Sequence, residues 1–138
     1  MNILMRLFLK GHVTLYRLTG GKIGGKMAGN PILLLDSIGR KSGQKRTTPL
    51  VYFQDGDDYV IIASNGGAPS HPAWYYNLKS TPQTMIQVMD KQIPVTAAVA
   101  APAERGRIWP ALIAKHDQFR QYQEKTAREI PLVILSPR

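Results

Sequence analysis

Short apolar runs separated by turn residues occupy most of this chain beyond residue 30, and they limit it to folds built largely from hairpins. Residues 49–53 and 59–64 flank Asp55-Gly56-Asp57-Asp58, a hairpin signal in which glycine supplies the conformational freedom of a tight turn. Residues 85–89 and 92–101 form a second pair, turning near Asp90-Lys91. Pro31 opens the run Ile32-Leu33-Leu34-Leu35, which reads as a buried strand, and residues 131–135 close the chain as another. Ser70 and Pro72 precede Trp74, Tyr75, Asn77 and Leu78, which predicts a short capped helix with proline in its first turn. Residues 103–128 carry helical spacing broken around Asp117. Five or six strands with few helices predict an α+β fold on a small antiparallel barrel. With 138 residues and no internal repeat, the expectation is one domain over 1–138, with a helix over 1–19 and a flexible, glycine-rich connection over 20–30.

Composition removes several function classes. The chain has no cysteine, which excludes a disulfide scaffold, a thiolate metal site and a cysteine nucleophile, and suits a reducing compartment. No apolar stretch approaches the ~18 residues of a membrane span. Charge is unevenly placed. Residues 1–46 hold nine Lys/Arg against the single acid Asp36, while residues 47–138 hold nine against eight. A one-ended positive field points to an anionic partner: a phosphate ligand, nucleic acid or a lipid surface.

Ile3, Leu4, Leu7, Phe8, Leu15 and Leu18 share one side of a helical wheel, with Arg6, Lys10 and Arg17 along a border and Gly11 as a weak point. Two readings follow: a helix covering the end of the core, or one resting on an anionic membrane face. A signal peptide is not expected, because Arg6 and Lys10 interrupt the stretch and no small-residue cleavage site follows.

The densest functional feature runs from Ser37 to Pro49. Gly39 and Gly43 permit tight, left-handed turns that aim backbone N–H groups into one concavity, among Arg40, Lys41, Lys45, Arg46 and the hydroxyls of the run. Arginine grips phosphate or carboxylate in two-pronged fashion, and lysine adds a point charge. This is not a Walker loop, since its glycine-to-Gly-Lys spacing is absent. A second feature, residues 63–72, leads from a strand end into the short helix, where glycines let a flat ligand approach the backbone. Trp74 and Asn77 lie about one turn apart and can share a face. His12, His71 and His116 show no metal-ligand spacing and read as structural, so no metal is expected. Paired acids and a Gly-x-Ser-x-Gly elbow are absent. A chain that binds a reactive coenzyme needs neither.

Taken together, Gly39-Arg40-Lys41-Ser42-Gly43-Gln44, Arg46, Pro49-Leu50, Ala63-Ser64-Asn65-Gly66-Gly67 and Pro72-x-Trp74-Tyr75-x-Asn77-Leu78 resemble the deazaflavin-dependent nitroreductase family. The likeness resumes at Trp109-Pro110, Tyr122-Gln123, Thr126, Arg128 and Ile130-Pro131, so it covers nearly all of the chain beyond residue 20. The resemblance implies a split β-barrel of the flavin-reductase and pyridoxamine-oxidase kind, with about six mostly antiparallel strands. It also implies the 8-hydroxy-5-deazaflavin coenzyme F-420. Arg40, Lys41, Ser42, Gly43 and Arg46 would hold the phosphate and acidic tail; Thr48, Pro49 and Leu50 would line the groove. Ala63, Ser64, Asn65 and Gly66 would meet the ring, with Trp74 and Asn77 completing that side. The family's nitroimidazole-activating member has tyrosines where Val51, His116 and Phe119 stand here, while Tyr122 is kept, so these four residues mark a reshaped substrate pocket.

The implied reaction is hydride transfer to a quinone- or nitro-type acceptor such as menaquinone, with Ser64 and Tyr122 as hydrogen-bond donors to the substrate. The protein would be cytoplasmic, peripheral on the inner face of the membrane through residues 1–19. The alternatives are an FMN-binding oxidoreductase on the same barrel, or a non-enzymatic module for anionic ligands or membrane. Nucleic acid is not an expected partner, because residues 40–46 contain no aromatic to stack a base.

Overall fold

The structure is a computed structural model that describes residues 2–138. Helix α1 (Ile3–Thr19) leads through β1 (Lys26–Met27) into β2 (Asn30–Ile38), β3 (Lys45–Asp55) and β4 (Asp58–Ile62). A 3-10 turn over Asn65–Gly67 precedes α2 (Ala73–Ser80), then β5 (Gln83–Val88), β6 (Lys91–Val99), α3 (Pro102–Lys115), α4 (Gln118–Glu124) and β7 (Leu132–Pro137). Strands run in the order β2-β3-β4-β7-β6-β5, and β5 pairs back onto β2, so six antiparallel strands close a barrel. Closure leaves these six strands no exposed edge. The two-residue β1 adds a short ladder to β2.

Period-two alternation sorts the side chains between the barrel interior and its outer face. Leu33, Leu35, Leu50, Tyr52, Ile61, Ile86, Val95, Val133 and Leu135 fill the barrel, while Trp74, Tyr75 and Leu78 of α2 pack with them. The alternate residues Val60, Ile62, Leu132 and Ile134 face outward under Ile108 and Leu112 of α3 and Phe119 of α4. Ile32 and Leu34 face outward beneath Tyr16 of α1. The unbroken apolar run in β2 is thus explained: one set of its side chains enters the barrel and the other is covered by a helix. β2 extends past that run to Ile38 because Asp36, Ser37 and Ile38 pair with Thr47, Arg46 and Lys45.

Three local expectations are corrected. The apolar side of α1 does not cover the core: Leu4 is 74% and Leu18 78% exposed, and Ile3, Leu7, Phe8 and Leu15 also face outward. The opposite stripe, His12 and Tyr16, is buried. Tyr16 Oη donates to Ile32 O at 2.9 Å and Gln87 O at 3.2 Å and accepts from Met89 N at 2.8 Å. Arg17 leaves the helix border to reach Asp36 at 3.1 Å and Thr47 at 3.3 Å. The helix is continuous through Gly11. Nor is the glycine-rich connection free: Gly20 caps α1, His12 Nε2 lies 2.8 Å from Gly24 O, and Ile32 N donates to Gly25 O at 2.9 Å. Finally, Pro72 is the N-cap of α2 rather than part of its first turn, and since proline has no hydrogen-bonding side chain, no side chain caps that end.

Candidate coenzyme groove

The β2–β3 turn and the start of α2 face each other across an open groove of about 660 Å³ at one end of the barrel. Ser37, Gly39, Arg40, Lys41, Ser42, Arg46 and Thr48 form one wall; His71, Ala73, Trp74, Tyr76 and Asn77 form the other. The turn is closed by its own backbone. Gly39 N donates to Gln44 O and Gly43 N to Gly39 O, both at 2.8 Å, and Gln44 N donates to Ser42 Oγ at 3.2 Å. Only Gly43 is left-handed, at φ 70°; at Gly39 a Cβ would lie 2.5 Å from Ser42 Oγ, which would have to turn away from Gln44 N.

Strand alternation decides which cations reach the groove. Arg46 and Thr48 face it, whereas Lys45 and Thr47 turn to the other side, where Asp36 accepts from Thr47 Oγ1 at 2.7 Å and pairs with Lys45 at 3.9 Å. Asn77 fastens the two walls: its Oδ1 accepts from Arg40 N at 3.0 Å and its Nδ2 donates to Ser37 Oγ at 3.3 Å. The Arg40 guanidinium sits 4.5 Å above the Tyr76 ring. Among the described residues, Arg40, Lys41 and Arg46 make no ion pair, and no carboxylate lines the groove. At the uncapped start of α2, Tyr75 N donates to Pro72 O at 3.1 Å, and the helix N-terminus adds to the same positive field. Three unpaired cations, the hydroxyls of Ser37, Ser42 and Thr48, and the flat side chains of Trp74 and Tyr76 make a seat for a polyanion with an aromatic portion.

Of the residues singled out in the sequence, Arg40, Lys41, Ser42, Arg46, Thr48, Trp74 and Asn77 meet in this groove, with Gly43 at the tip of the turn. Pro49 and Leu50 do not: Leu50 enters the barrel core and Pro49 lies on the opposite strand face. Ala63, Ser64, Asn65 and Gly66 lie behind the groove, in the segment between β4 and α2, where Ala63 and Ser64 are buried. Val51, His116, Phe119 and Tyr122 gather instead in the outer core beside Ile108 and Leu112. His116 is buried there, which lowers its pKa and favours the neutral ring. Ala73 and Tyr76 are groove residues that the sequence reading misses, and Ser37, Gly39 and His71, though they fall within its two features, are given no coenzyme contact there. Alternation after Leu33 and Leu35 would have found Ser37 and Gly39, and the spacing Ala73–Tyr76–Asn77 on α2 would have found two more.

The two segments behind the groove are locked together. A Cβ on Gly67, at φ 84°, would lie 2.8 Å from Tyr122 O and 3.1 Å from Lys125 Cβ, so α4 rests directly on this backbone. Among the described residues, no group of His, Asp or Glu is placed to hold a metal.

The chain has counterparts among known proteins. Residues 8–137 match the family described as F420H(2)-dependent quinone reductase. The chain belongs to that family. It is 42% identical over 134 residues to F420H(2)-dependent quinone reductase Rv1261c of Mycobacterium tuberculosis (strain ATCC 25618 / H37Rv), covering 94% of this chain and 90% of the relative. The solved structure of F420-H2 Dependent Reductase (FDR-A) superposes with a TM-score of 0.70 at 38% identity, covering 77% of this chain and 94% of that one. A pyridoxamine 5'-phosphate oxidase structure from Listeria innocua, described there as putative, is 11% identical with a TM-score of 0.53 over 77% of this chain and 82% of its own, and shares the fold alone. The split barrel, the family and the deazaflavin coenzyme implied by the sequence motifs are all upheld, and the family is described by quinone reduction.

The groove fits that coenzyme on its own terms. Arg40, Lys41 and Arg46, with no carboxylate among the lining residues, suit an acidic tail, and the side chain of Trp74 suits a flat ring.

Proposed function

We propose that this reductase seats the tail of its deazaflavin coenzyme on Arg40, Lys41, Ser42 and Arg46 and the ring toward Thr48, Trp74 and Asn77. When bound and reduced, the coenzyme supplies a hydride. The chain's own residues hold and orient it: Asn77 keeps the two walls at a fixed separation, and Trp74, 7% exposed, gives a rigid surface. Ser64 and Tyr122, off the groove in the segment after β4 and on α4, are proposed as donors to an acceptor that enters from that side, as negative charge develops on its oxygen. The observation that carries this reading is the set of three unpaired cations on a groove without carboxylates, in a chain of this family. Mixing purified protein with reduced coenzyme and menaquinone is expected to restore the absorbance of the oxidised coenzyme. No change with any quinone or nitroarene refutes the reading.

The acceptor is proposed to be menaquinone, drawn from a membrane on which α1 rests. No helix among the described residues is long and apolar enough to cross a membrane. The exposed stripe of α1 nonetheless continues into Ile23, Met27 and Met89, all more than 40% exposed. Arg6, Lys10, Lys22 and Lys26 surround it, and the first acid of the sequence is Asp36. Apolar residues ringed by cations match an anionic lipid surface. Phe8→Ser is expected to lower partitioning onto anionic vesicles about tenfold by removing one inserted side chain, while coenzyme affinity stays unchanged. Equal partitioning of variant and wild type would argue against docking through this face.

A further inference from the structure

Arg128 stands between α4 and β7, with its whole guanidinium turned to the segment that joins β4 to α2. Nε donates to Ala68 O at 3.0 Å, Nη2 to Ser64 O at 2.8 Å and Nη1 to Ala63 O at 3.2 Å. Nη1 also lies 2.8 Å from His71 Nδ1. A guanidinium has donors only and keeps its charge, so His71 Nδ1 must offer its lone pair. The neutral ring then carries its proton on Nε2. Among the described residues, Arg128 is the hydrogen-bond partner of this ring, which otherwise packs on Tyr75 and Tyr76 at centroid distances of 4.6 and 5.8 Å. His71 lines the groove next to Ala73 and Trp74.

We propose that Arg128 is a positioning residue for the coenzyme site: it fixes residues 63–71 and locks His71 in the Nε2–H tautomer, as a donor to an acceptor oxygen of the bound deazaflavin coenzyme. The proposal rests on the coenzyme reading above. It extends it to two residues, one of which reads from the sequence as merely structural. The same contact gives the arrangement a pH dependence of definite sign. Burial, then Arg128, then Lys79 lower the His71 pKa from 6.5. The groups facing the ring are Arg128 from the segment before β7 and Lys79, Tyr75 and Tyr76 from α2, with Arg40 beyond Tyr76. Every charged group among them is a cation, so nothing on any side favours imidazolium. The native ring stays neutral at a pH where an unfolded histidine takes a proton, and acidification below 6.5 progressively opposes the clamp. Protonation brings a new positive charge to an anion site, yet the clamp predicts weaker coenzyme binding, the reverse of simple charge attraction.

Nitrogen-resolved NMR of the full chain without coenzyme tests the lock directly. The expected spectrum shows His71 protonated on Nε2 at neutral pH, drifting toward a tautomer mixture in Arg128→Lys; an Nδ1-protonated ring in the wild type overturns the proposal. Fluorescence quenching by the coenzyme tests the donor. His71→Ala is expected to bind about five- to tenfold more weakly, the worth of one lost hydrogen bond, whereas His71→Gln, whose amide N–H reaches the Nε2 position, stays within about threefold. Unchanged affinity in His71→Ala, or equal losses in both variants, overturns the donor role. Wild type is expected to lose affinity on acidification relative to His71→Gln, and parallel pH profiles overturn the clamp. If wild type itself binds no deazaflavin coenzyme, the coenzyme reading is what fails, and the NMR tautomer still decides whether Arg128 locks His71.

Discussion

Arg40→Ala/Arg46→Ala is expected to weaken deazaflavin coenzyme binding by roughly 10²–10⁴-fold, from about 1.5–3 kcal/mol for each charged hydrogen bond removed. Both side chains sit on the groove without an ion-pair partner among the described residues, so a ligand need break no internal salt bridge to engage them, and Arg40 has only its stacking on Tyr76 to adjust. Neither carries the fold, since both are exposed on the β2–β3 turn and the start of β3, and the melting temperature of the variant should match wild type. The salt dependence of binding should also flatten, because fewer cations screen against bulk salt. Lys45→Ala supplies the contrast. Lys45 is one residue from Arg46 and has the same charge, but it faces Asp36 on the other side of the strand, so its loss should change affinity less than about threefold. A count of positive charge along residues 40–46 predicts equal effects from Lys45 and Arg46. The geometry predicts that Arg46→Ala loses at least about fourfold more affinity than Lys45→Ala, and titration of these two single variants beside the double variant separates the two accounts. Equal losses, or a double variant that binds like wild type, would remove the groove from the coenzyme site.

The same pair shows what the sequence made legible and what it hid. Hairpin signals gave the strands, because Asp55-Gly56-Asp57-Asp58 and the Asp90-Lys91 turn specify pairing between neighbours in the chain. Closure of the barrel through Leu34 and Leu35 against Gln87 and Ile86 joins strands about fifty residues apart, and only the motif resemblance pointed to it. The basic turn was legible because glycine, arginine and lysine at close spacing have few other uses. Its far wall was hidden: His71 and Tyr76 reach the groove only because α2 packs its Trp74 and Tyr75 face into the barrel. The substrate side was the least legible. His116 and Phe119 look available in a list of residues, but the break at Asp117 folds α4 back onto α3 and buries both. Burial against a partner distant in sequence leaves no mark on local composition.

Helix α1 carries the sharpest disagreement between pattern and packing, and it yields the largest expected stability effect. Its leucines suggest a helix held by apolar contact, yet it is held by Tyr16, which is 0% exposed and bonded through one hydroxyl to β2, β5 and the turn that follows β5. Tyr16→Ala is expected to destabilise the protein by about 3–5 kcal/mol, as for other large-to-small changes at buried aromatics. A fall in melting temperature of roughly 10 °C or more should follow. Tyr16→Phe keeps the ring and leaves Met89 N without its acceptor, so about 1–3 kcal/mol is expected. Leu7→Ser, on the exposed stripe of the same helix, should stay within about 0.5 kcal/mol. Burial raises the Tyr16 pKa above 10.0, so the native state keeps its proton where the unfolded chain releases it. Wild type should therefore lose stability as pH rises past 10, and Tyr16→Phe should lose less over the same interval. If thermal melts rank Leu7→Ser below Tyr16→Ala, the stripe and not the tyrosine holds α1. The exposed leucines would then be part of the fold and unavailable to a membrane.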